Sequence, residues 1–422
     1  KGKDNPYREY YVWARKDSVR EQIKRKKISL DSDNITQWHA VDGDTTAEHY
    51  YGFFWGGMPD LNHDNPAVRK EFIGIGEFWL KEIGVDGFRL DAARHIYPDE
   101  RAVDNHAFWT WFRTEMQKIK PEVHLVGEVW SNAETVAPYL KGLPSLFNFD
   151  MAYGIASAVN AGRDTAGLIN RYAGILGFYR RNSEEFIDAV FLRNHDQNRI
   201  LSELGGDQQK MRTATSILMT LPGTPYVYYG EEIGMLGKKP DEQIREPFLW
   251  DEDAKDRIRT RWEVPQYSTD STVVPLAVQE QDPASLVHFY REWIRFRNAS
   301  PALTYGALSV SVLGSESVIA FNRSTGSDSV TVFHNLSGRP VSFTLSGKDS
   351  RIRFAAGKGV VVASSLVETQ EALRSILSGE LVGSAGSEVV LEECLQGEEV
   401  SFLVFTDGET ALDRKSTRLN SS

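Results

Sequence analysis

The sequence predicts an α/β protein with a parallel sheet, followed by a smaller all-β domain. Four short runs of β-branched and aromatic residues, and a weaker fifth run, alternate with helical patterns, which is typical of a parallel sheet. These runs cover residues 85–90, 123–127, 146–149, 189–192 and 226–229. From residue 303 the pattern changes to short strand-like runs, many of them separated by Gly, Ser or Asp, which predicts a β-sandwich.

A helix is predicted over residues 66–83, directly before the first parallel strand. Asn65 is a suitable N-cap, Pro66 takes the first helical position, and Gly84 ends the helix. Apolar residues recur between them at helical spacing, as in an amphipathic helix. These residues are Val68, Phe72, Ile75, Trp79, Leu80 and Ile83.

Composition divides the chain into four segments. Residues 1–62 are rich in Asp, Gly and aromatic side chains and are predicted to form an irregular insertion. Residues 63–302 carry the alternating strands and helices, and residues 303–412 the β-sandwich with a helical pattern in its middle. The strand-like runs of the sandwich are 309–313, 317–322, 329–335, 341–345, 387–392 and 400–406, and the helical pattern is 368–377. Residues 413–422 are polar and are interpreted as a non-native-looking tail.

Bulk composition disfavours several classes of protein. The chain has 422 residues, 41% of them hydrophobic and 25% charged, as in folded proteins of two or three domains. A net charge of −11 disfavours nucleic acid as a partner, because phosphate binding requires a basic surface. Cys394 is the only cysteine, and no apolar run reaches the roughly 18 residues of a membrane-spanning helix. Residues 1–4 resemble neither a signal peptide nor a protein start, which indicates a cut N-terminus.

Arg89 and Asp91 are candidate functional residues at the end of the first strand. Alternate side chains of a strand share one face, so these two point the same way. The carboxyl ends of the strands carry the active site in α/β barrels. A neighbouring guanidinium keeps a carboxylate ionised, as a nucleophile requires. A strand-end Asp that caps the next helix is the alternative interpretation.

Two further strands end in acids. Glu128 follows an apolar strand with Trp130 just beyond it, and a carboxyl group beside an aromatic wall tends to have the raised pKa of a general acid. His195 and Asp196 follow the strand at residues 189–192, and both can reach a polar substrate. A solvated loop Glu and a structural His–Asp hydrogen bond are the respective alternatives.

The three acids are more informative together than singly. The carboxyl ends of parallel barrel strands meet at one rim, so Asp91, Glu128 and Asp196 are expected to share it. Glycoside hydrolysis uses two carboxyl groups that flank the scissile bond, about 5 Å apart in retaining enzymes. Strand ends around one barrel can supply that spacing.

The segments around these acids resemble signature segments of the α-amylase family of retaining glycoside hydrolases. Residues 87–95, 127–130 and 194–196 are similar to three of them, in the family's order. Residues 58–62 resemble the segment before the fourth strand, and residues 224–232 resemble the eighth strand with its following turn. The resemblance covers the chain from residue 4 to residue 300.

This resemblance implies a TIM-type (β/α)8 barrel. Residues 63–302 would hold strands 4 to 8, and residues 1–62 the insertion between strand 3 and helix 3. The family's earlier Asp-x-x-x-Asn-His segment is not found, so the barrel is expected to lack its first strands. Unpaired edges would remain, and this chain is therefore expected to be poorly active or unstable.

The resemblance also implies a role for each acid. Asp91 would be the nucleophile that forms a covalent glycosyl intermediate, and Glu128 the general acid that later acts as base. Asp196 would bind sugar hydroxyls and help to distort the ring. The implied substrate-binding residues are Arg89, His195, Arg94, His95 and Trp130, with Arg94 and His95 on the leaving-group side.

No cofactor is expected for the chemistry, and calcium is the family's usual structural ion. The backbone carbonyl of His95 fits a family ligand position. Residues 42–44 either contribute to an ion site or form a solvated turn. The aromatic run at residues 50–55 either lines the sugar groove or packs in the core.

The resemblance favours retaining hydrolysis of α-1,4-glucosidic bonds in starch or maltodextrins. Residues 58–62 look intermediate between the oligo-1,6-glucosidase and neopullulanase versions, so an α-glucosidase, an oligo-1,6-glucosidase or a transglycosylase is the alternative. A non-catalytic carbohydrate-binding or transporter-associated homologue is disfavoured, because all three acids are present. An unrelated barrel enzyme would need a strand-end lysine or a phosphate loop, and neither appears. The expected partner is an α-glucan or maltooligosaccharide, and the family suggests an exported monomer.

Overall fold

The computed structural model describes residues 4–25, 37–41, 48–311, 315–337, 350–355, 388–393, 404–406 and 411–413. A small antiparallel sheet and one helix come first. Strand β1 (Trp13–Ala14), helix α1 (Lys16–Arg25), strand β2 (Trp38–Ala40) and strand β3 (His49–Tyr51) follow in chain order. The strands pair in the order β1-β3-β2.

This N-terminal segment is more regular than its composition suggested. Aromatic rings pair across its strands: the ring centroids of Trp38 and Tyr51 lie 5.1 Å apart, and those of Trp13 and Tyr50 lie 6.0 Å apart. Strands of two or three residues are too short to leave an alternating pattern in the sequence.

The helix predicted before the first parallel strand is confirmed. Helix α2 (Pro66–Glu77) continues as a π-helical stretch over Phe78–Ile83. The side chain of Asn65 caps its start by accepting a hydrogen bond from the N–H of Ala67 at 2.9 Å. Gly84 ends the helix with a φ of 85°, a left-handed conformation that favours glycine.

The central layer is a five-stranded parallel sheet. Its strands are β4 (Gly87–Leu90), β5 (His124–Gly127), β6 (Ser145–Phe147), β7 (Ile187–Phe191) and β8 (Thr224–Tyr226). They pair in sequence order, each parallel to the next. The parallel sheet predicted from the alternation of strands and helices is therefore confirmed, and the carboxyl ends of all its strands lie along one edge.

Helices alternate with these strands and continue beyond them. They are α3 (Ala102–Ile119), α4 (Ala133–Val136), α5 (Phe149–Ala161), α6 (Leu168–Asn182), α7 (Ile200–Glu203), α8 (Gln208–Thr220), α9 (Asp241–Ile244), α10 (Leu276–Gln279), α11 (Leu286–Ala299) and α12 (Pro301–Tyr305). Short 3-10 turns cover Arg8–Tyr10, Ala93–His95, Asp99–Arg101 and Ala137–Lys141. Within the described ranges, none of the helices has the length and apolarity needed to cross a membrane.

Among the strands that the structure describes, the parallel sheet stays open, with β4 and β8 as its two edge strands. This arrangement shows in helix α2 and its π-helical extension. Val68 and Leu80 are buried, whereas Ile75, Trp79 and Ile83 are 49%, 44% and 54% exposed. Half of the predicted apolar face therefore faces solvent, because β4 is an edge strand.

Two large apolar clusters form the core. One cluster packs helices α5, α6, α8 and α11 together and includes the fully buried Trp293 and Tyr172. The other packs α3 against β5 and β6 and is rich in aromatic residues such as Phe108. These clusters hold the sheet rigid beneath its carboxyl edge.

A five-stranded antiparallel sheet follows α12, which confirms the predicted all-β character of this part of the chain. Its strands are β9 (Ala307–Val310), β10 (Val318–Ser324), β11 (Ser329–Asn335), β12 (Ser350–Ala355) and β13 (Glu388–Glu393), in the order β12-β13-β11-β10-β9. Strands β14 (Val404–Thr406) and β15 (Ala411–Asp413) pair with each other. Strands β12 and β15 were not predicted, and the runs at 341–345 and 368–377 lie outside the described residues.

Two buried arginines join this sheet and α11 to the end of α8. Arg323, on β10, donates to the backbone carbonyls of Thr220, Leu303 and Gly306 at 2.6 to 3.1 Å. Arg297, on α11, donates at 2.6 to 2.8 Å to three carbonyls at the C-terminus of α8 and in the loop that follows. The cations thus satisfy helix-end carbonyls that would otherwise be unpaired.

We expect the change Arg323→Met to lower the free energy of unfolding by about 3 kcal/mol, because buried carbonyl oxygens lose their donors. Urea unfolding followed by circular dichroism measures this effect. Arg295→Met, on the exposed side of the same region, is the matched control and is expected to shift stability by less than about 0.5 kcal/mol. Equal midpoints for the two variants would contradict the assigned role of Arg323.

Candidate active site

Two carboxyl groups meet at one guanidinium at the carboxyl edge of the parallel sheet. Asp91 directly follows β4, and Glu128 directly follows the neighbouring strand β5. Arg89, on β4, forms ion pairs with both, one terminal nitrogen to Asp91 and the other to Glu128. The structure therefore brings together the two acids that the sequence pointed to for the bond-breaking step.

Backbone hydrogen bonds fix this pairing. The N–H of Glu128 donates to the carbonyl of Leu90 at 2.9 Å, and the N–H of Ala93 donates to the carbonyl of Glu128 at 2.9 Å. The register of the two strands thus continues past their ends, so the side chains beyond them stay neighbours. Ala92 turns the chain with a φ of 42°, in the left-handed region that non-glycine residues rarely adopt.

The two carboxyl groups differ in exposure. The side chain of Asp91 is 71% exposed, whereas that of Glu128 is 9% exposed. Asp91 is therefore open to an incoming molecule, while Glu128 reaches the site from the packed end of β5.

The ring of Trp130 stacks on Phe149 with centroids 4.6 Å apart and is 42% exposed.

Asp196 is held by other contacts, after β7. One of its oxygens lies 3.2 Å from the Nε2 of His195, and the other accepts a hydrogen bond from Arg245 at 2.7 Å. The side chain of Asn194 accepts a hydrogen bond from the N–H of Asp196 at 2.9 Å and fixes the turn. Asp196 thus lies at the same edge of the sheet as the two other acids, with its own cation.

Arg94 and His95 lie in the 3-10 turn after β4 and contact other parts of the protein. The guanidinium of Arg94 donates to the carboxylate of Asp99 at 3.1 Å. The ring of His95 stacks on Phe53 with centroids 4.0 Å apart and planes inclined by 20°. These contacts tie the turn to its surroundings, and the substrate-binding roles of both residues stay predictions.

In the part of the chain that the structure describes, side chains that could bind a metal ion do not cluster. No group of three or more His, Cys, Asp and Glu side chains gathers there in a way that would hold a metal. Residues 42–44, the second candidate for an ion site, lie outside the described ranges. A calcium site at the carbonyl of His95 stays a prediction.

Comparison with known proteins decides the family. The family model for the catalytic domain of α-amylase matches residues 1–306. The chain belongs to the α-amylase family. The family and the TIM-type (β/α)8 fold class expected from the signature segments are thereby confirmed. Enzymes of this family need no cofactor for their chemistry.

Named relatives include both hydrolases and a transferase. Alpha-amylase 3 of Dictyoglomus thermophilum is 40% identical over 333 residues, which are 79% of this chain and 62% of the relative. A 4-alpha-glucanotransferase of Thermotoga maritima is 31% identical over 344 residues, 81% of this chain and 73% of the relative. The crystal structure of the α-amylase from H. orenii superposes with a TM-score of 0.76 at 38% identity, covering 93% of this chain and 76% of that one.

A second family model matches near the C-terminus. The ATP-grasp (A) domain of phosphoribosylglycinamide synthetase matches residues 342–418. The structure describes four short strands in this stretch, at 350–355, 388–393, 404–406 and 411–413.

Arg245 is a site residue of this α-amylase family member that sequence reasoning missed. It lies in the loop after β8, 49 residues from Asp196. Besides the carboxylate of Asp196, it donates to the backbone carbonyl of His195 at 2.9 Å and pairs with Asp241 at 2.9 Å. In the sequence, Arg245 is visible only as a basic residue in a loop after a strand, and many loops contain such a residue.

Glu231 lies in the turn after β8, and the sequence did not predict its unusual burial. It is 2% exposed, and its charged neighbours are Arg199, Glu232 and Arg193. Burial, only partly opposed by Arg199, raises the pKa of Glu231 to about 8. A buried acid with this pKa carries a proton at neutral pH.

We expect Arg245→Ala to lower kcat/KM for a soluble α-glucan by roughly 10- to 100-fold, because a charge-assisted hydrogen bond that orients Asp196 is lost. Steady-state kinetics and the unfolding midpoint measure the two effects separately. Arg257→Ala, an exposed arginine elsewhere on these loops, is the control. A variant with unchanged kcat/KM would show that Arg245 does not position Asp196.

Glu231→Gln is expected to flatten the dependence of stability on pH. Between about 4.5 and about 8, the folded protein keeps a proton on Glu231 that the unfolded chain has lost. The free energy of unfolding therefore falls by up to about 1.4 kcal/mol per pH unit as the pH rises through this window. Urea unfolding from about pH 5 to about pH 8 tests this, with the exposed Glu184→Gln as control. Parallel profiles for wild type and Glu231→Gln would refute it.

Proposed function

We propose that this site hydrolyses α-1,4-glucosidic bonds in starch or maltodextrins with retention of configuration. The observation that carries the proposal is the shared ion pair of Asp91 and Glu128 with Arg89. Two carboxyl groups on adjacent strand ends, joined through one guanidinium, suit the close spacing of about 5 Å that a retaining mechanism requires. The chain spans 62% of the length of the Dictyoglomus relative, whose name supports this activity.

The proposed first step forms a bond between Asp91 and the sugar. The exposed carboxylate of Asp91 attacks the anomeric carbon while Glu128 donates its proton to the glycosidic oxygen. The bond from the anomeric carbon to that oxygen breaks, and the leaving chain departs as an alcohol. Arg89 forms an ion pair with Asp91 and orients its carboxylate for the attack.

The second step returns the enzyme to its starting state. Glu128, now ionised, takes a proton from water, and the resulting oxygen attacks the anomeric carbon from the side that the first chain left. The bond to Asp91 breaks, so two inversions give net retention. Asp196, fixed by Arg245 and His195, is positioned to bind sugar hydroxyls and favour the distorted ring of the transition state.

Transfer to a sugar acceptor is the second candidate function. The glycosyl intermediate reacts with a sugar hydroxyl instead of water when the acceptor occupies the site. The names 4-alpha-glucanotransferase and trehalose synthase among the relatives support this alternative. Product analysis separates them: new longer chains indicate transfer, internal cuts indicate amylase action, and released glucose indicates an α-glucosidase.

Three further properties rest on the family resemblance. They are a structural calcium ion, a monomeric state and export from the cell. Each stays a prediction. A shift of the unfolding temperature on adding calcium would support the first.

Asp91→Asn and Glu128→Gln are each expected to lower kcat on a soluble α-glucan by more than about a thousandfold. They should differ on a substrate with an activated leaving group, such as an α-glucosyl fluoride. That group departs without a proton, so Glu128→Gln is expected to form the intermediate rapidly while Asp91→Asn does not. A stopped-flow burst of fluoride measures this step, and proton NMR of the first product reports the configuration.

The matched control is Asp86→Asn, which removes an exposed carboxylate just before the amino end of β4. It is expected to leave turnover within about twofold of wild type, as for a surface change away from the site. An inverted first product, or normal turnover of both active-site variants, would refute the proposed mechanism. A non-catalytic glucan-binding protein would show no turnover at all and unchanged binding in Glu128→Gln.

A further inference from the structure

The aromatic run at residues 50–55 divides into a core side and a surface side. Tyr51 and Phe53 are each 4% exposed, whereas Trp55 is 60% exposed. Met58, in the same turn, is 52% exposed. The two interpretations of this run, core packing and groove lining, thus apply to different residues.

A hydrogen-bonded turn fixes the backbone of Trp55. The N–H of Met58 donates to the carbonyl of Trp55 at 3.0 Å, with Gly56 and Gly57 in the centre of the turn. The hydroxyl of Tyr50 donates to the carbonyl of Gly56 at 2.6 Å. The turn is therefore anchored to strand β3 from one side, which limits its freedom.

The indole of Trp55 lies directly over Gly57. A Cβ atom placed on Gly57 would lie only 2.2 to 2.5 Å from three carbons of the six-membered ring. Only glycine leaves room for the ring at this position. With the indole against the backbone and most of the side chain exposed, the other face of the ring is open to solvent.

Two aromatic contacts fix this turn beside the edge that carries Asp91. The ring of His95 stacks on Phe53 and meets the edge of Phe54 with centroids 5.7 Å apart. His95 belongs to the short turn that follows Asp91 directly in the chain. Trp55 follows Phe54 directly in the chain, so its turn is tied through His95 to the segment that carries Asp91.

We propose that Trp55 is a sugar-stacking platform for a glucosyl unit of the α-glucan outside the bond that is cleaved. The apolar C–H face of a glucose ring packs against an aromatic face, and a rigid indole loses little entropy on binding. The inference rests on the proposed function and deepens it, because a platform apart from Asp91 and Glu128 is reached only by longer chains. Trp55 would thus select long glucans over short ones.

Trp55→Ala is expected to raise KM for a long maltodextrin roughly fivefold to tenfold, the loss of one aromatic stacking contact. Turnover of p-nitrophenyl α-glucoside, which is too short to reach the platform, is expected to stay within about twofold of wild type. The matched control is Trp79→Ala. Trp79 is 44% exposed and lies before the amino end of β4, away from the strand ends that carry the acids.

Gly57→Ala tests the same idea without removing the indole. The added methyl group must displace the ring, so KM for the long chain is expected to rise while the unfolding midpoint changes little. Gly74→Ala is its control, because a Cβ at Gly74 meets no atom within 4 Å. Calorimetric titration of maltoheptaose into the Glu128→Gln background measures binding directly, with and without Trp55→Ala.

The outcomes separate this inference from the proposed function. Wild type that cleaves long glucans, together with Trp55→Ala and Gly57→Ala variants whose KM matches it, would overturn the role of Trp55 and leave the function standing. Equal losses on short and long substrates would also overturn it, since they would indicate general damage to the site. Wild type that neither binds maltoheptaose nor cleaves any α-glucan would overturn both.

Discussion

The candidate site depends on the guanidinium of Arg89. Two carboxylates on adjacent strand ends repel each other unless a cation lies between them. Arg89 reaches both from β4, and the hydrogen bond from the N–H of Glu128 to the carbonyl of Leu90 fixes the register in which it can do so. One cation thus holds together two acids that come from two neighbouring strands of the parallel sheet.

Around this centre the site gathers groups from distant parts of the chain. The loops after β4, β5, β7 and β8 contribute Asp91, Glu128, Asp196 and Arg245 respectively. Asp196 has a separate arginine, so its orientation is independent of the Arg89 pair. One cation thus holds Asp91 and Glu128, while another holds Asp196.

The sequence predicted what depends on local pattern and missed what depends on tertiary contacts. Strand-end acids were found because an apolar run followed by Asp or Glu is visible in a few residues, as at Glu128. Arg245 was missed because its partner lies 49 residues away in a loop without periodicity. Trp55 is exposed beside the buried Phe53 because a turn with two glycines follows it. Ile75 is exposed because β4 is an edge strand of the sheet. Neither property is local.

The hydrogen bonds of the two buried arginines, Arg297 and Arg323, affect how the protein unfolds. Both side chains donate to carbonyls at or near the end of α8, one from α11 and the other from the antiparallel sheet. Separating the two layers would break these hydrogen bonds and expose to water the apolar cluster that α8, α11, β10 and β11 share. The parallel layer and the first strands of the antiparallel layer therefore melt as one cooperative unit, with a single calorimetric transition.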